Sequence, residues 1–570
     1  MNPDDILADL DDQQRAAAEA ILGPVCILAG AGTGKTRTIT HRIAYGIARG
    51  YFAPNRVLAL TYTNRAAGEL RARLRGLGAG AVSAKTFHSA ALHQLQYFWP
   101  QLAGTPAPRV LDSKSKFIFE AAQKLGMRLD ANAVREMAAE IEWRKYNLLS
   151  IEQYGSHLPG GNKTENEAAR PAVSGISPGR NLEIHELYEQ AKVNAQVLDW
   201  EDVLILNLGL LEAEPTVVAQ VRQQYRFFTV DEYQDVSPLQ QKLLDAWLGE
   251  HSDVCVVGDP NQTIYSFTGA TNEFLHSFAG RYPDAQVFEL NTNYRSSPEV
   301  IRVANRLAVS SKIAPLVSFQ PSGPAVKTVG YSNAQTEAAE VAGQIKALIS
   351  RKVPPQQIAV LYRVNGQSEA FEKALTDLSI EYQVRGGERF FSRTEIQQAI
   401  RAIRAESASP SQKSTYQAVS EICQSLGWSK REPDTGGLQR EKWEALNSLV
   451  QLVEELPAET SLSDLVLELE ERQRTQHEPQ RQAVTLATMH SAKGLEWEAV
   501  FIVGASEGYL PISYAKTERE LAEEQRLAYV AVTRARRELC ISWHQGDHQQ
   551  SRQPSRYLEQ LRTGDAGLAS

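Results

Sequence analysis

The sequence contains few cysteines, and none of them are spaced as metal ligands or as a disulfide framework. The 570 residues include only four cysteines, Cys26, Cys255, Cys423 and Cys540, and they lie far apart in the chain. No pair has CxxC spacing, which argues against a zinc ribbon and against a small disulfide-linked fold. The cysteines are therefore predicted to be buried thiols of a protein in a reducing compartment.

The chain also lacks an excess of positive charge and a long apolar segment. It has 60 Lys and Arg against 68 Asp and Glu, a net charge of −8. This excludes a uniformly basic coat for nucleic acid, but not a local basic groove. No apolar run approaches the ~20 residues that cross a bilayer, and the acidic start MNPDDILADL does not resemble a signal peptide. We expect a cytoplasmic protein without a membrane partner, with about four domains for this length.

Short apolar runs that alternate with helical patterns form two groups along the chain. Runs of this length, each ending in polar or turn-forming residues, are typical of strands buried on both faces of a parallel sheet. The runs are Val25–Ala29, Val57–Leu60, Phe227–Val230 and Val254–Val257, then Ala359–Tyr362, Val484–Met489, Val500–Val503 and Leu539–Ser542. The sequence therefore predicts an α/β fold with two parallel sheets. Helical patterns dominate between them, at about 90–197 and 405–482.

A glycine-rich segment, AGAGTGKT, follows the first apolar run and precedes an amphipathic helical pattern. In this context, backbone N–H groups of the turn and of the helix N-terminus bind phosphate. The residues that would line the cradle are Ala29, Gly30, Ala31, Gly32, Thr33, Gly34, Lys35 and Thr36. Lys35 would bind the β- and γ-phosphates, and the Thr36 hydroxyl would bind Mg²⁺. The strict pattern has glycine at Ala29, and an incidental glycine-rich turn is the alternative.

Two adjacent acids follow the run Phe227–Val230, in the segment DEYQD. At the end of a parallel strand, Asp231 can hold Mg²⁺ and Glu232 can polarise a water for attack on the γ-phosphorus. An acidic helix N-terminus is the alternative interpretation. In the next segment, VVGDPNQTIYSFTGA, Gln262 is placed to sense a γ-phosphate.

Tyr265 and Phe267 alternate with turn residues in that same segment. Exposed aromatic rings with this spacing can stack on bases of a single strand. Core packing is the alternative, above all for Phe267.

Eleven segments in order resemble the motifs of superfamily 1 helicases of the UvrD/Rep/PcrA group, and with the closing element PSRYLEQL (554–561) the resemblance spans residues 10–561. They are LDDQQ (10–14), AGAGTGKT (29–36), LTYTNRAAGEL (60–70), KTFHS (85–89), VDEYQD (230–235), VGDPNQTIYSFTGA (257–270), LNTNYRSS (290–297), LYRVNGQS (361–368), VRGGERFFSRTEI (384–396), TMHSAKGLEWEAVFIVG (488–504) and EEQRLAYVAVTRAR (523–536). The resemblance implies two RecA-like P-loop NTPase domains, each with a mainly helical inserted accessory domain. It also implies ATP and Mg²⁺ as cofactors.

The resemblance assigns further nucleotide contacts. Gln14 matches an adenine-reading glutamine, Tyr294 a residue that stacks on adenine, and Glu496 a ribose contact. Arg295 and Arg534 match arginines that reach the γ-phosphate, where a delocalised, always charged guanidinium suits the transition state. The catalytic set is then Lys35, Asp231, Glu232, Gln262, Arg295 and Arg534.

The resemblance also supplies candidates for contacts with a DNA strand. They are Tyr62, Thr63, Phe87, His88, Tyr265, Phe267, Arg363, Asn365, Thr488 and His490. For His88 and His490 a hydrogen-bonded structural histidine is the alternative. Neither histidine has a third ligand at metal-binding spacing, so zinc is not expected.

The implied domain organisation places ATP binding in 1–89 and 198–280 (domain 1A), with a helical accessory domain 1B at 90–197. Domain 2A would comprise 281–404 and 483–562, with a short accessory domain 2B at 405–482 and a tail at 563–570. Relatives have tryptophan at Phe267, arginine at Thr268 and a considerably larger insertion between Arg393 and Val484. Phe267 would be a smaller stacking platform, and the charge contact missing at Thr268 would weaken the coupling between DNA binding and hydrolysis. The short insertion favours translocation over processive unwinding.

We therefore expect an ATP-dependent 3′-to-5′ DNA helicase, active in DNA repair, replication restart or recombination. Its substrates would be single-stranded DNA and junctions of single- and double-stranded DNA, with repair or replication proteins as further partners. The oligomeric state remains open. One alternative is a translocase that displaces proteins from single strands and unwinds poorly alone, and another is a catalytically silent scaffold.

Overall fold

A computed structural model gives the fold of the chain. It describes residues 2–159, 173, 175–310, 313–385, 394–407, 413–430, 445–446, 449–450, 452–453, 460–475, 482–546 and 551–558. The predicted tail at 563–570 and most of the motif segment 384–396 lie outside the described residues. Two compact units divide the chain, Met1–Asn293 with Ser310–Leu316, and Tyr294–Val309 with Val317–Ser570. Within the described ranges, no helix combines the length and the apolar character that crossing a membrane requires.

The first unit is built on a six-stranded parallel sheet. Its strands, with two short accessory strands and one terminal strand, are β1 (Val25–Ala29), β2 (Val57–Thr61), β3 (Ser83–Thr86), β4 (Arg109–Val110), β5 (Val197–Leu198), β6 (Phe227–Val230), β7 (Val254–Gly258), β8 (Gln286–Leu290) and β9 (Thr292–Asn293). The sheet has the order β3-β2-β6-β7-β1-β8. All five neighbouring pairs are parallel, so every strand ends at the same edge.

Helices cover both faces of this sheet. Those of the first unit are Pro3–Leu7, Asp12–Glu19, Lys35–Ala48, Asn64–Gly76, Phe87–Ala103, Ser115–Lys124, Ala131–Tyr146, Ile151–His157, Pro178–Ala195, Trp200–Ala213, Pro215–Gln224, Pro238–Leu248, Glu273–His276 and Phe278–Arg281, with 3₁₀ turns at Pro54–Arg56, Tyr233–Asp235, Pro260–Gln262 and Ser266–Thr268. Side chains alternate along β1, so Val25 and Ile27 pack in one layer with Ile39 and Ile43. Cys26 faces the other layer, which contains Trp247 and the helices after β3 and β6.

The helices between Ser115 and Ala195 enclose a small core of their own, which includes Ile118, Met137 and Ile184. A buried ionic cluster joins them to the helix that begins at Trp200. Asp199 Oδ2 accepts from Lys145 Nζ at 2.7 Å and from Lys192 Nζ at 2.8 Å. Both lysines also contact Asp202, and the Tyr188 hydroxyl donates to Asp199 at 2.9 Å. Every charge of the cluster therefore has a partner of opposite sign, as buried charges require.

The second unit contains another parallel sheet. Its strands are β11 (Lys327–Tyr331), β12 (Ile358–Tyr362), β13 (Tyr382–Arg385), β14 (Val484–Thr488), β15 (Trp497–Ile502) and β16 (Ala535–His544), preceded by the short β10 (Val317–Ser318). The order is β11-β16-β15-β12-β14-β13, and all pairs are parallel. The helices of this unit are Pro298–Leu307, Ala334–Ser350, Ser368–Asp377, Thr394–Ser407, Thr415–Ser425, Leu462–Thr475 and Glu518–Val532, with 3₁₀ turns at Pro355–Gln357 and Asn365–Gln367.

A separate helical cluster of the second unit forms from residues 396–469. Ile400 and Ile403 pack with Val419, Leu449 and Leu465. The cluster has its own apolar core, apart from the one that contains Val360 and Leu486 of the sheet. Much of the interval between its helices lies outside the described residues.

The predicted α/β class with two parallel sheets is confirmed. One boundary differs: the prediction starts domain 2A at residue 281, but β8 pairs with β1 from Val25↔Gln286 to Ala29↔Leu290. Residues 286–290 therefore belong to the first sheet. The sequence signal was weak because QVFEL forms an edge strand in which only Leu290 is buried. The other domain limits remain predictions.

Candidate functional site

Most site residues predicted in the first unit follow strands of its parallel sheet. The glycine-rich loop follows β1, Tyr62 follows β2, Phe87 follows β3, and Asp231 follows β6. Because all strands run in one direction, these segments share the carboxyl edge, where ligands bind in open α/β sheets.

The loop after β1 has the backbone of an anion cradle. Gly32 and Gly34 have φ of 69° and 83°, a region that side chains with a Cβ disfavour. A Cβ on Gly30 would lie 2.4 Å from Leu316 Cδ2. Lys35 begins the helix that follows, and its Nζ donates to the carbonyls of Ala29 at 3.2 Å and Gly30 at 3.3 Å. The N–H groups of a helix N-terminus and a lysine ammonium thus converge on one loop, an arrangement that binds phosphate.

Two amides hold this loop from outside. Gln14, buried, donates from Nε2 to the Thr33 carbonyl at 2.9 Å, and it closes a capping box with Asp11. Asn293 donates from Nδ2 to the Ala31 carbonyl at 2.6 Å. The sequence interpretation missed Asn293, although it stands inside the segment LNTNYRSS. Its signal was a polar residue next to Tyr294, which the sequence analysis assigned to adenine.

The acidic pair lies beside the loop. The Thr36 hydroxyl is 3.4 Å from Asp231 Oδ2, and the Glu232 N–H donates to Asp231 Oδ1 at 2.9 Å. Burial, and then the charge of Glu232, raise the pKa of Asp231 to about 7, although Lys35 opposes the shift. A hydroxyl and a carboxylate so close together are suitable ligands for a hard cation. A divalent ion would relieve the charge repulsion that raises this pKa, so the residues present fit Mg²⁺.

A second buried carboxylate, Asp259, is connected to Glu232 by hydrogen bonds through Gln234. Asp259 accepts from Gln262 Nε2 at 2.7 Å, and its backbone N–H donates to Gln234 Oε1 at 3.0 Å. Gln234 also donates to Glu232. Burial raises the pKa of Asp259, against the charge of Lys35. Gln262 is thus linked to Glu232 through Asp259 and Gln234, two residues that the sequence interpretation did not select.

Three aromatic residues lie together. Tyr62 directly follows β2, and Tyr265 and Phe267 are in the segment after β7. The Tyr62 and Tyr265 rings are stacked, with centroids 5.4 Å apart and planes at 8°. Phe267 contacts Tyr265 edge-on at 6.1 Å. Tyr62 is 40% exposed and Phe267 46% exposed, so core packing is the wrong interpretation for Phe267. Thr268 donates to the Tyr265 carbonyl at 2.8 Å.

Phe87 and His88 do not form such a platform. Phe87 is buried and stacks on Trp247 at 6.0 Å, and its contact with a strand stays a prediction. It is the first residue of its helix, and its side chain faces the core layer.

His88 lies 3.1 Å from the Tyr146 hydroxyl and edge-on to Trp200. Burial, and then Lys114, lower its pKa to about 4. It fits the alternative of a neutral, hydrogen-bonded structural histidine. The Thr63 hydroxyl caps a helix by accepting from the Ala66 N–H at 3.1 Å.

The remaining nucleotide candidates lie in the second unit. Arg295 forms an ion pair with Glu496, which also pairs with Arg536. Burial opposes ionisation, but the two arginines hold the pKa of Glu496 below its usual range. Tyr294 packs at 5.3 Å against Phe319, whose ring is 71% exposed.

Arg534 is held by its own unit. Its side chain is buried; Nε donates to the Val530 carbonyl at 2.9 Å and Nη1 to the Leu495 carbonyl at 3.1 Å. Nη2 donates to the Thr533 hydroxyl at 3.0 Å.

The DNA candidates of the second unit cluster after β12 and β14. Arg363 directly follows β12 and is bound by Glu524. Asn365 is exposed and begins a 3₁₀ turn. Thr488 contacts the Ser491 hydroxyl at 2.9 Å. Burial, then Arg363 and Lys493, lower the pKa of His490 to about 3, so this histidine is neutral at physiological pH.

Comparison with known proteins places the chain among helicases. Residues 10–283 match the UvrD/REP helicase N-terminal domain, and residues 288–432 and 401–546 match the UvrD-like helicase C-terminal domain. The chain is 44% identical to the ATP-dependent DNA helicase UvrD2 of Mycobacterium tuberculosis over 582 residues, covering 97% of the chain and 82% of the relative. It is 29% identical to PcrA of Bacillus subtilis (94% and 83% covered) and 28% identical to Rep of Escherichia coli (98% and 94% covered).

Proposed function

Because the chain belongs to the UvrD/Rep/PcrA family of DNA helicases, we propose that it moves 3′ to 5′ along single-stranded DNA. Its ATPase would be stimulated by the strand, and its motion would separate duplex DNA during repair, replication restart or recombination. The observation that carries the ATP-dependent part is the cradle at Lys35 with Thr36 and Asp231 3.4 Å apart beside it. We further propose that it works in the cytoplasm, at the nucleoid if the source is bacterial.

The residues of the first unit have distinct roles in this proposal. Lys35 and the loop N–H groups bind the phosphates, and Thr36 and Asp231 hold Mg²⁺. The ion, when bound, neutralises charge that develops on the phosphoryl oxygens. Glu232, whose carboxylate accepts a hydrogen bond from Gln234, is the base that accepts a proton from the attacking water. In the second unit we assign Arg295 and Arg534 to the γ-phosphate, as in the family motifs.

The direct test compares ATP hydrolysis with and without single-stranded DNA, followed by unwinding of duplexes that carry a 3′ or a 5′ tail. We expect a large stimulation and a preference for the 3′ tail. A preference for the 5′ tail would refute the polarity, and the absence of any DNA-stimulated hydrolysis would refute the proposed enzyme.

Two substitutions test the assigned residues. Lys35→Ala should abolish hydrolysis while strand binding persists, because it removes a phosphate contact and no strand contact. Arg534→Ala should bind nucleotide but turn it over at least about 100-fold more slowly, since a lost transition-state donor costs ~3 kcal/mol or more. Lys373→Ala is the matched control, because Lys373 is 77% exposed and pairs with Asp377 four residues on. Normal turnover by Arg534→Ala would show that this arginine does not contribute to hydrolysis.

A second candidate function is displacement of proteins from single strands with poor unwinding alone. The short interval 405–482 favours it, because the family resemblance implies a larger accessory domain there. Release of streptavidin from a biotinylated strand, without separation of a tailed duplex, would support this function. Efficient unwinding by the monomer would rule it out.

A further inference from the structure

Arg363 is fixed by one carboxylate. Glu524 Oε1 accepts from Arg363 Nη2 at 2.8 Å, and Oε2 accepts from Nε at 3.1 Å. The side chains are 11% and 8% exposed. Side-on pairing of this kind sets the plane of a guanidinium, and it is stronger than a neutral hydrogen bond. Glu524 therefore determines which edge of Arg363 is presented outward. In the part of the chain that the structure describes, Nη1 of Arg363 makes no hydrogen bond.

The same carboxylate fixes a loop that carries an exposed ring. Glu524 Oε2 also accepts from the Ile512 N–H at 3.0 Å. Two residues on, the Tyr514 hydroxyl lies 3.4 Å from Arg363 Nη2. Tyr514 is 68% exposed. An exposed aromatic ring held beside a cation by shared contacts is available to stack on a flat ligand.

The surroundings suit a negatively charged, stackable ligand. Burial lowers the pKa of His490, and the charges of Arg363 and Lys493 lower it further, so both cations lie near this histidine. A single nucleotide of a strand offers an anionic phosphate and a flat base at adjacent positions. An arginine beside an exposed aromatic ring matches that pair without reading sequence.

We propose that Tyr514 stacks on a base of the bound strand while Arg363 binds a neighbouring phosphate, and that Glu524 is the positioning residue for both. This inference rests on the proposed function, because it assigns a further contact for the same DNA strand. Tyr514 is a contact that none of the motif segments contains.

The first test is the affinity for a fluorescein-labelled oligothymidylate, measured by anisotropy over a series of salt concentrations. Tyr514→Ala should weaken binding about tenfold, and it should leave the salt dependence unchanged because stacking releases no counterions. Tyr514→Phe should bind like the unaltered protein, since the ring remains. Tyr97→Ala is the matched control: Tyr97 is 58% exposed, in the first unit, and should have no effect.

The second test separates positioning from simple structure. Glu524→Gln should weaken binding and lower the slope of log K against log salt by about 0.7, the value for one phosphate contact on a single strand. Adding Arg363→Ala to Glu524→Gln should then cause little further loss. Independent, additive losses would overturn the positioning role. Thermal melting checks that Glu524→Gln is folded. If it is not, the comparison of Tyr514→Ala with Tyr514→Phe tests the proposal.

The outcomes distinguish this inference from the proposed function. If the unaltered protein fails to bind the oligonucleotide, the proposed function is wrong. If the unaltered protein binds and Tyr514→Ala binds equally well, only the contact inferred here is wrong.

Discussion

Asp231 is predicted to destabilise the free protein, and Asp231→Asn should therefore stabilise it. Burial and the adjacent Glu232 raise the pKa of Asp231 from the usual 3.8 to about 7. Each factor of ten in a protonation constant is 1.36 kcal/mol, so the ionised carboxylate costs on the order of 4 kcal/mol. Asparagine has nearly the same shape, carries no charge and keeps an oxygen that can accept from the Glu232 N–H.

The direction in which stability changes with pH follows from the protonation of Asp231 in the folded and in the unfolded chain. Below about pH 4 the carboxyl is protonated both in the folded and in the unfolded chain, so it contributes no difference. Between about pH 4 and 7 only the unfolded chain loses the proton, and the stability of the protein with Asp231 falls as pH rises. Above about pH 7 the cost is complete. The advantage of Asp231→Asn should thus be largest at pH 8 and less than half as large at pH 5.

The assay is calorimetric melting of the full chain at pH 8 and pH 5, without nucleotide or divalent metal. For a unit of this size we expect an increase of about 5–10 °C at pH 8. Asp112→Asn, at an exposed position, is the control and should change little. Asp231→Asn should also lose magnesium-dependent hydrolysis. An equal or lower melting temperature at pH 8 would refute the cost assigned to burying the ionised Asp231 beside Glu232.

Three further predictions concern the first unit. Gly34→Ala should raise the KM for ATP, because φ is 83° and the new Cβ would lie 2.6 Å from Gln14 Nε2; an unchanged KM would contradict the cradle. Asp199→Asn should lower the free energy of unfolding by about 1.5–3 kcal/mol in urea titrations, since two buried lysines lose one of the carboxylates that they share. A loss under about 1 kcal/mol would contradict that pairing. Tyr146→Phe should cost about 1–3 kcal/mol by removing the hydroxyl contact with His88, and no loss would imply a replacement partner.

The fold was predictable because eight strands of the two sheets contain short apolar runs bounded by turns, whereas the more polar β3, β11 and β13 were not among the predicted runs. The order of β1, the glycine-rich loop and its helix also follows from local sequence. β8 escaped because an edge strand needs few buried residues, and only Leu290 of the five is buried. Its place in the first sheet depends on pairing with β1, which no local pattern encodes.

The candidate site was predictable where residues are close in sequence and less so where partners are distant. Lys35, Thr36 and Asp231 were selected, and the structure brings them together. The burial of Phe87 was not foreseen, because the sequence does not reveal which layer the first side chain of a helix faces. Glu524 was missed because its partner Arg363 lies 161 positions away.

Glu232 has a left-handed backbone, with φ of 53° and ψ of 42°. An ordinary side chain in this region costs about 1–2 kcal/mol, and glycine would avoid most of that cost. Selection for heat resistance alone, without a demand for unwinding, should therefore enrich glycine or asparagine at position 232. Such variants would be thermostable but inactive. A selection for thermostable variants of this protein must therefore also require strand separation at every round.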